Sequence, residues 1–152
     1  MIDYVFRYDP SQPDSKPTPA NAEEARLALI AGNQLFSEWM ATCRLGGAST
    51  SGAQYIVLCG GQESVLLQPS DGYLAQKPFA VVLGCADARV PTEMLFGQGF
   101  NDLFVVRVAG NVLGDSVQGS IDFSLQALSA SVRVLVALGH TNCGAVKGAV
   151  RA

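Results

Sequence analysis

Three side chains of different chemistry occupy alternate positions in the stretch LGCADARVP, which covers residues 83–91. Cys85 offers a thiol, Asp87 a carboxylate and Arg89 a guanidinium. The apolar run FAVVLG comes directly before them and is typical of a strand buried on both faces. A thiolate is a nucleophile or a metal ligand, and an arginine beside an aspartate keeps that aspartate ionised. The stretch therefore predicts a chemically active loop at the end of a buried strand.

A second set of polar side chains follows the apolar run VRVLVALG, in the sequence HTNC. His140 is the only histidine of the chain, and Cys143 stands at the predicted start of a helix, where the helix dipole favours the thiolate. Two thiolates and one imidazole suit Zn²⁺, and three protein ligands leave the fourth position open, as in catalytic sites. In parallel sheets ligands bind beyond the carboxyl ends of the strands. We therefore expect Cys85, His140 and Cys143 to converge there on one metal ion.

Each of these residues also has an ordinary structural interpretation. A cysteine at a strand end is commonly a small buried hydrophobe, and a single histidine is commonly a helix cap or a satisfied core residue. Asp87 and Arg89 could form a loop ion pair that contributes about 0–1 kcal/mol. The occurrence of all these residues at neighbouring strand ends favours the functional interpretation. The remaining cysteines, Cys43 and Cys59, are interpreted as plain thiols.

Composition limits the class of protein. The chain has 152 residues, of which 49% are hydrophobic and 15% charged, with a net charge of −3. This length predicts one domain, and the acidic balance argues against nucleic-acid binding. No apolar run approaches the roughly 18 residues of a membrane span, and the start lacks the pattern of a secretory signal. We therefore expect a cytoplasmic protein with reduced thiols, and apolar surface that a partner subunit covers.

The amino-terminal part must support the strands that carry these residues. Residues 9–19 are rich in Pro, Ser and Asp and predict an extended arm, and the apolar pattern predicts a helix over residues 21–40. The stretch YIVLCGGQESVLL predicts two short strands around Gly60–Gly61, which form a hairpin. We assign residues 1–19 to an N-terminal extended arm and residues 20–152 to one α/β domain.

From residue 79 onward, strand and helix patterns alternate three times. Asp115 or Ser116 is expected to cap the middle helix. This order requires parallel pairing. The predicted fold is α/β, with an open, mainly parallel sheet, flanking helices and an N-terminal helical arm.

These motifs together resemble those of the β-class carbonic anhydrases. CADARVP, DLFVVRVAGN and LGHTNCGAVKGA are similar to the family's patterns C-x-D-x-R, R-x-A-G-N and H-x-x-C-G. The resemblance implies that Cys85, His140 and Cys143 hold one Zn²⁺ per chain. It also implies that Asp87 and Arg89 form the catalytic dyad beside the metal.

The resemblance implies substrate-binding residues and partners as well. Gln76 matches a glutamine that in the family reaches the substrate across a dimer interface, and Gly110 is expected in a tight turn with Asn111 at the cleft mouth. GNQLF in the first helix is similar to the family's arm, which wraps the partner subunit. We therefore expect a homodimer or higher oligomer acting on CO₂ and bicarbonate, with no nucleic acid and no membrane as partner.

The implied reaction is the reversible hydration of CO₂ to bicarbonate and a proton by zinc-bound hydroxide. Asp87 would accept a hydrogen bond from the hydroxide, and Arg89 would orient Asp87. Two thiolates should raise the pKa of the water, so we expect the rate to rise from about pH 6.5 to about pH 9. Val82 replaces a tryptophan of the closed-site members, although Arg107 matches the arginine of their regulatory site, which favours an open site.

Two alternatives stay open: a catalytically inactive, zinc-stapled homologue that acts in assembly, and a related hydrolase of CS₂ or COS. The chain also looks C-terminally short, because family members usually continue with further helices and a last strand. It could be a fragment, a chain completed by a second polypeptide, or a shortened homologue that assembles differently.

Overall fold

A computed structural model describes residues 2–7, 16–44, 53–58 and 75–151 of the chain. These residues form, in order, β1 (Ile2–Arg7), α1 (Ala22–Arg44), β2 (Ala53–Leu58), β3 (Ala80–Cys85), α2 (Thr92–Phe96), β4 (Leu103–Val108), a 3₁₀ turn (Ala109–Asn111), α3 (Asp115–Ala127), β5 (Val134–Leu138) and α4 (Gly144–Arg151). No helix of these segments is long and apolar enough to cross a membrane.

A three-stranded parallel sheet with the order β4-β3-β5 carries the second half of the chain. The register pairs Ala80 with Leu103 on one side and with Val134 on the other. All six residues of β3 are buried, because this strand lies between two neighbours and its apolar run leaves no polar face. The predicted α/β fold with a mainly parallel sheet and flanking helices is confirmed.

A second sheet adds a pairing that the sequence did not predict. β1 and β2 run parallel, from the pair Ile2–Ala53 to the pair Arg7–Leu58. The start of the predicted arm is therefore a strand, and its partner β2 follows α1 in the sequence. The β2 strand overlaps the first strand of the predicted hairpin and begins two residues before it, and Gly60–Gly61 lie outside the described residues. The division into an arm of residues 1–19 and a domain of residues 20–152 stays a prediction.

Helix α1 packs on the amino-terminal end of the three-stranded sheet. Ala25 and Leu29 are buried against Phe79 and Ala80. Asn21 caps the start of the helix, and Glu24 binds back to the residue before the cap. The Glu24 amide donates to Asn21 Oδ1 at 2.9 Å, and the Glu24 carboxylate accepts from the Ala20 amide at 2.8 Å. The helix continues beyond the predicted residue 40, to Arg44.

The predicted cap of α3 is wrong. The cap residue is Gly114, whose carbonyl oxygen accepts hydrogen bonds from the amides of Val117 and Gln118, and no side chain caps the helix. Asp115 already lies in the first turn of the helix. Its carboxylate there interacts favourably with the helix dipole rather than with a free amide.

Candidate metal centre

The carboxyl ends of β3 and β5 bring three metal-ligating side chains together. Cys85 ends β3, His140 follows β5, and Cys143 directly precedes α4. One ligand atom from each lies within 4.8 Å of the other two. The two Sγ atoms are 3.9 Å apart. Two thiolates on a tetrahedral zinc, with Zn–S bonds of about 2.3 Å, stand about 3.8 Å apart, so the spacing fits this metal.

The His140 ring is oriented for coordination through Nε2. Its Nδ1 lies 2.9 Å from the Thr141 carbonyl oxygen, so this nitrogen carries the proton and donates it. Nε2 is buried and accepts no hydrogen bond from the residues that the structure describes. Buried polar atoms are normally paired, and a ligating histidine typically donates its other ring N–H to a carbonyl or carboxylate. The orphaned Nε2 therefore fits a metal ligand.

The turn at Gly110 supports the Cys85 thiolate. Gly110 and Asn111 have φ values of 66° and 58°, which is the tight turn that the sequence predicts. The Gly110 amide donates to Cys85 Sγ at 3.3 Å. Chiefly for this reason the pKa of Cys85 falls to about 7. A Cβ at Gly110 would lie 3.1 Å from the Ala145 Cβ, so a larger residue here would press against α4.

Asp87 and Arg89 form a two-pronged ion pair beside the ligands. The Nε and Nη2 atoms of Arg89 donate to the two carboxylate oxygens at 2.9 Å and 2.6 Å, and the Arg89 amide donates to Oδ1 at 2.9 Å. These bonds, the side-chain ones first, hold the pKa of Asp87 well below its usual range. Asp87 Oδ2 lies 3.9 Å from His140 Nε2, so an ionised carboxylate faces the metal centre.

Three further hydrogen bonds hold this loop in place, and none of them was predicted from the sequence. Arg107 on β4 donates to the carbonyl oxygens of Cys85 at 3.0 Å and Asp87 at 2.7 Å. Arg89 Nη2 also lies 3.3 Å from the Asn142 carbonyl oxygen, which ties the dyad to the loop before α4. Only the motif match of Arg107 marked it in the sequence, and that match indicated a regulatory role rather than a bond to the loop backbone.

Two other residues singled out in the sequence are not part of the group of candidate ligands. Gln76 is exposed before the amino-terminal end of β3, and Asn101 holds the residues on either side of it, Ala75 and Lys77. Six strand residues span about 20 Å, so Gln76 cannot reach the ligands of its own chain. Cys43 is a half-buried free thiol. Cys59 lies outside the described residues.

The same part of the chain matches known proteins. Residues 80–152 match the family model described as carbonic anhydrase. The carbonic anhydrase of Mycolicibacterium smegmatis is 51% identical over 78 residues, which are 51% of this chain and 37% of that protein. Carbonic anhydrase 2 of Mycobacterium tuberculosis is 51% identical over 77 residues, which are 51% of this chain and 36% of that protein. The matched stretch thus spans little more than a third of these curated relatives.

The fold agrees with a solved structure. The crystal structure of the β-carbonic anhydrase CafA of Aspergillus fumigatus superposes with a TM-score of 0.50 at 30% identity, over 76% of this chain and 50% of that one. The stretch that matches the family model contains the three candidate ligands and the Asp87–Arg89 pair. Residues 80–152, which hold the candidate site, are therefore similar to carbonic anhydrases, and the fold is similar to that of a β-class member.

Proposed function

We propose that this protein catalyses the reversible hydration of CO₂ to bicarbonate and a proton, with one Zn²⁺ held by Cys85, His140 and Cys143. The observation that carries the proposal is the buried, unpartnered His140 Nε2, which lies among two thiols and an ionised carboxylate. A purely structural zinc site has no use for an oriented carboxylate beside its ligands. The Asp87–Arg89 pair therefore favours catalysis over an inactive, zinc-stapled homologue.

The ion would supply a nucleophile near neutral pH, by lowering the pKa of a water molecule. Asp87 stays ionised because Arg89 donates to both of its oxygens, so its carboxylate would accept a hydrogen bond from the water that the ion activates and would orient it toward CO₂. While Arg89 holds both of its oxygens, Asp87 would not itself occupy the fourth ligand position. The Gly110 amide stabilises the Cys85 thiolate.

We further propose that the reaction takes place in a homodimer or higher oligomer. Gln76 could contact substrate only at the centre of a second copy, because the length of β3 separates it from its own. Large apolar side chains are exposed on the turn after β4 and on the helices that follow, namely Val112, Leu113, Phe123, Val146 and Val150. Such surface is typical of a protein–protein interface. Substrate contact by Gly110, a cytoplasmic location and completion by a second polypeptide remain predictions.

The deciding experiment is stopped-flow CO₂ hydration by the zinc-loaded chain, followed with a pH indicator from about pH 6.5 to about pH 9. We expect the rate to rise with pH, since thiolate ligands offset part of the metal charge that acidifies water. A zinc-loaded chain without a rate above background would contradict the proposal. Hydrolysis of CS₂ or COS by that same preparation would instead support the related hydrolase.

A further inference from the structure

We propose that Asn33 and Tyr55 are positioning residues, which hold α2 and through it the Asp87–Arg89 pair. Both lie outside the residues matched by the family model. Only Val90 and Pro91 separate Arg89 from the start of α2, so a displacement of this short helix displaces the dyad. The catalytic importance of the pair rests on the proposed function, whereas the mechanical link does not.

Side chains from α1 and β2 bind the carboxyl end of α2. Asn33 Nδ2 donates to the Leu95 carbonyl oxygen at 3.0 Å. The Tyr55 hydroxyl lies 3.2 Å from the Met94 carbonyl oxygen and 3.3 Å from that of Gly32, so its one proton links the two helices. The last carbonyls of a helix have no partner within it. Asn33 therefore supplies a bond that α2 does not make for itself, and Tyr55 adds a second donor at the Met94 oxygen, which also accepts from the Gly97 amide at 3.3 Å.

Two glycines allow this close approach. A Cβ at Gly32 would lie 1.7 Å from the Phe96 carbonyl oxygen, so any larger residue would separate α1 from α2. Gly97 ends α2 with a φ of 58°, and a Cβ there would lie 2.7 Å from the Tyr55 hydroxyl. We call Asn33, Tyr55, Gly32 and Gly97 the α2 clamp. A five-residue helix is too short to be stable alone, so its position depends on such contacts.

Hydrogen-bonded backbone connects the α2 clamp to the dyad. The Leu95 amide donates to the Pro91 carbonyl at 3.0 Å, and the Val90 amide donates to the Asp87 carbonyl at 3.2 Å. Arg89 adds the bond from its own amide to the Asp87 carboxylate. Arg107 fastens only the first half of this loop, at Cys85 and Asp87. The second half is held by the Arg89–Asn142 contact on one side and by its direct connection to α2 on the other.

The surroundings of Arg89 leave room for movement if the α2 clamp is released. Its side chain is 63% exposed. It borders a cavity of about 330 Å³, whose other walls include Phe36, Met40, Arg44 and Leu95. An open space therefore lies between Arg89 and the last turns of α1. Asn33 and Tyr55 hold the carbonyl oxygens of Leu95 and Met94, and the Gln98 side chain adds a link from α2 to α1 through the carbonyl oxygens of Phe96 and Ala28.

The test is amide hydrogen exchange by NMR on the zinc-loaded full chain and on the variants Asn33→Ala and Tyr55→Phe. Gln34→Ala is the matched control, since Gln34 follows Asn33 in α1, also carries a side-chain amide and is exposed. Loss of one hydrogen bond should speed exchange about 3- to 10-fold at Leu95, Gly97 and Gln98, and equally at Arg89 and Val90. The amides of β3 and the zinc affinity should not change, and Gln34→Ala should match the parent protein.

Faster exchange confined to residues 95–98 would overturn the proposal, because the α2 clamp would then be a local stabilising contact. A uniform increase that includes β3 would overturn it too, as a global loss of stability. In an active protein, kcat/KM should fall by a similar factor in Asn33→Ala and not in Gln34→Ala. Exchange is measured without turnover, so an inactive chain would contradict the proposed function and leave this inference standing.

Discussion

The two parallel sheets of this protein are stabilised in different ways. In the three-stranded sheet, β3 is buried along its whole length by the strands and helices around it. The two-stranded sheet is instead packed through aromatic rings. Tyr55 of β2 stacks on Trp39 of α1, with ring centroids 5.4 Å apart, and on Tyr4 of β1, with centroids 5.2 Å apart. The first sheet carries the candidate ligands and the second carries Tyr55 of the α2 clamp. The candidate ligands and the residues proposed to position α2 thus come from separate parts of the chain.

The largest difference between the two parts should appear in metal binding. Replacing Cys143 with alanine removes one of three ligands, and we expect zinc affinity to fall on the order of 1000-fold or more. Replacing Cys43 of α1 with alanine should leave the affinity unchanged, although it also deletes a free thiol. Competition with a chromophoric chelator measures both. Equal losses in the two variants would contradict this assignment of the ligands.

The next effect concerns the dyad. Asp87→Asn keeps the side-chain shape but removes the ionised acceptor, so kcat for CO₂ hydration should fall about 100-fold or more while zinc stays bound. Asp122→Asn is the control, because it makes the same change of charge at an exposed residue of α3 that is not a candidate ligand. This variant should leave kcat unaltered. Activity and zinc content of both variants decide the matter. A fully active Asp87→Asn protein would remove Asp87 from the mechanism.

The loss of stability on truncation to alanine should be larger at buried Leu29 of α1 than at exposed Leu135 of β5. Leu29 is 4% exposed and packs against the start of β3, so Leu29→Ala should lower the free energy of unfolding by about 2–5 kcal/mol. Leu135 on β5 is 48% exposed, and Leu135→Ala should cost less than about 1 kcal/mol. Denaturant titration gives both values. Similar losses would mean that β5 is covered in solution.

The smallest effect is a pH dependence of the aromatic packing. Burial raises the pKa of Tyr55 to about 12, against about 10 in an unfolded chain. The unfolded state therefore ionises first, so the contribution of Tyr55 is complete below about pH 10 and is lost as the pH rises through about 12. The difference in melting temperature between the parent protein and Tyr55→Phe should shrink over this range. A constant difference would contradict a buried, neutral Tyr55.

The arrangement around the candidate ligands could be anticipated because local patterns mark it. Continuous apolar runs end directly before Cys85 and His140, and the carboxyl ends of neighbouring parallel strands lie at one edge of a sheet. The turn at Gly110 and Asn111 was predictable for a similar reason, since both residue types tolerate positive φ. In each case residues adjacent in the sequence determine the structure.

Sequence patterns were therefore enough to predict the set of reactive residues, the alternation of strands and helices, and the end of the sheet where those residues meet. Three features followed only from the packing in three dimensions: β1 pairs with β2, Arg107 binds the loop backbone, and Asn33 and Tyr55 bind α2. These contacts join residues far apart in the chain, and they depend on how closely two backbones approach. Hydrophobic periodicity does not predict how closely α1 and α2 approach each other. That distance is set by the packing of the two helices, which Gly32 allows because it has no side chain.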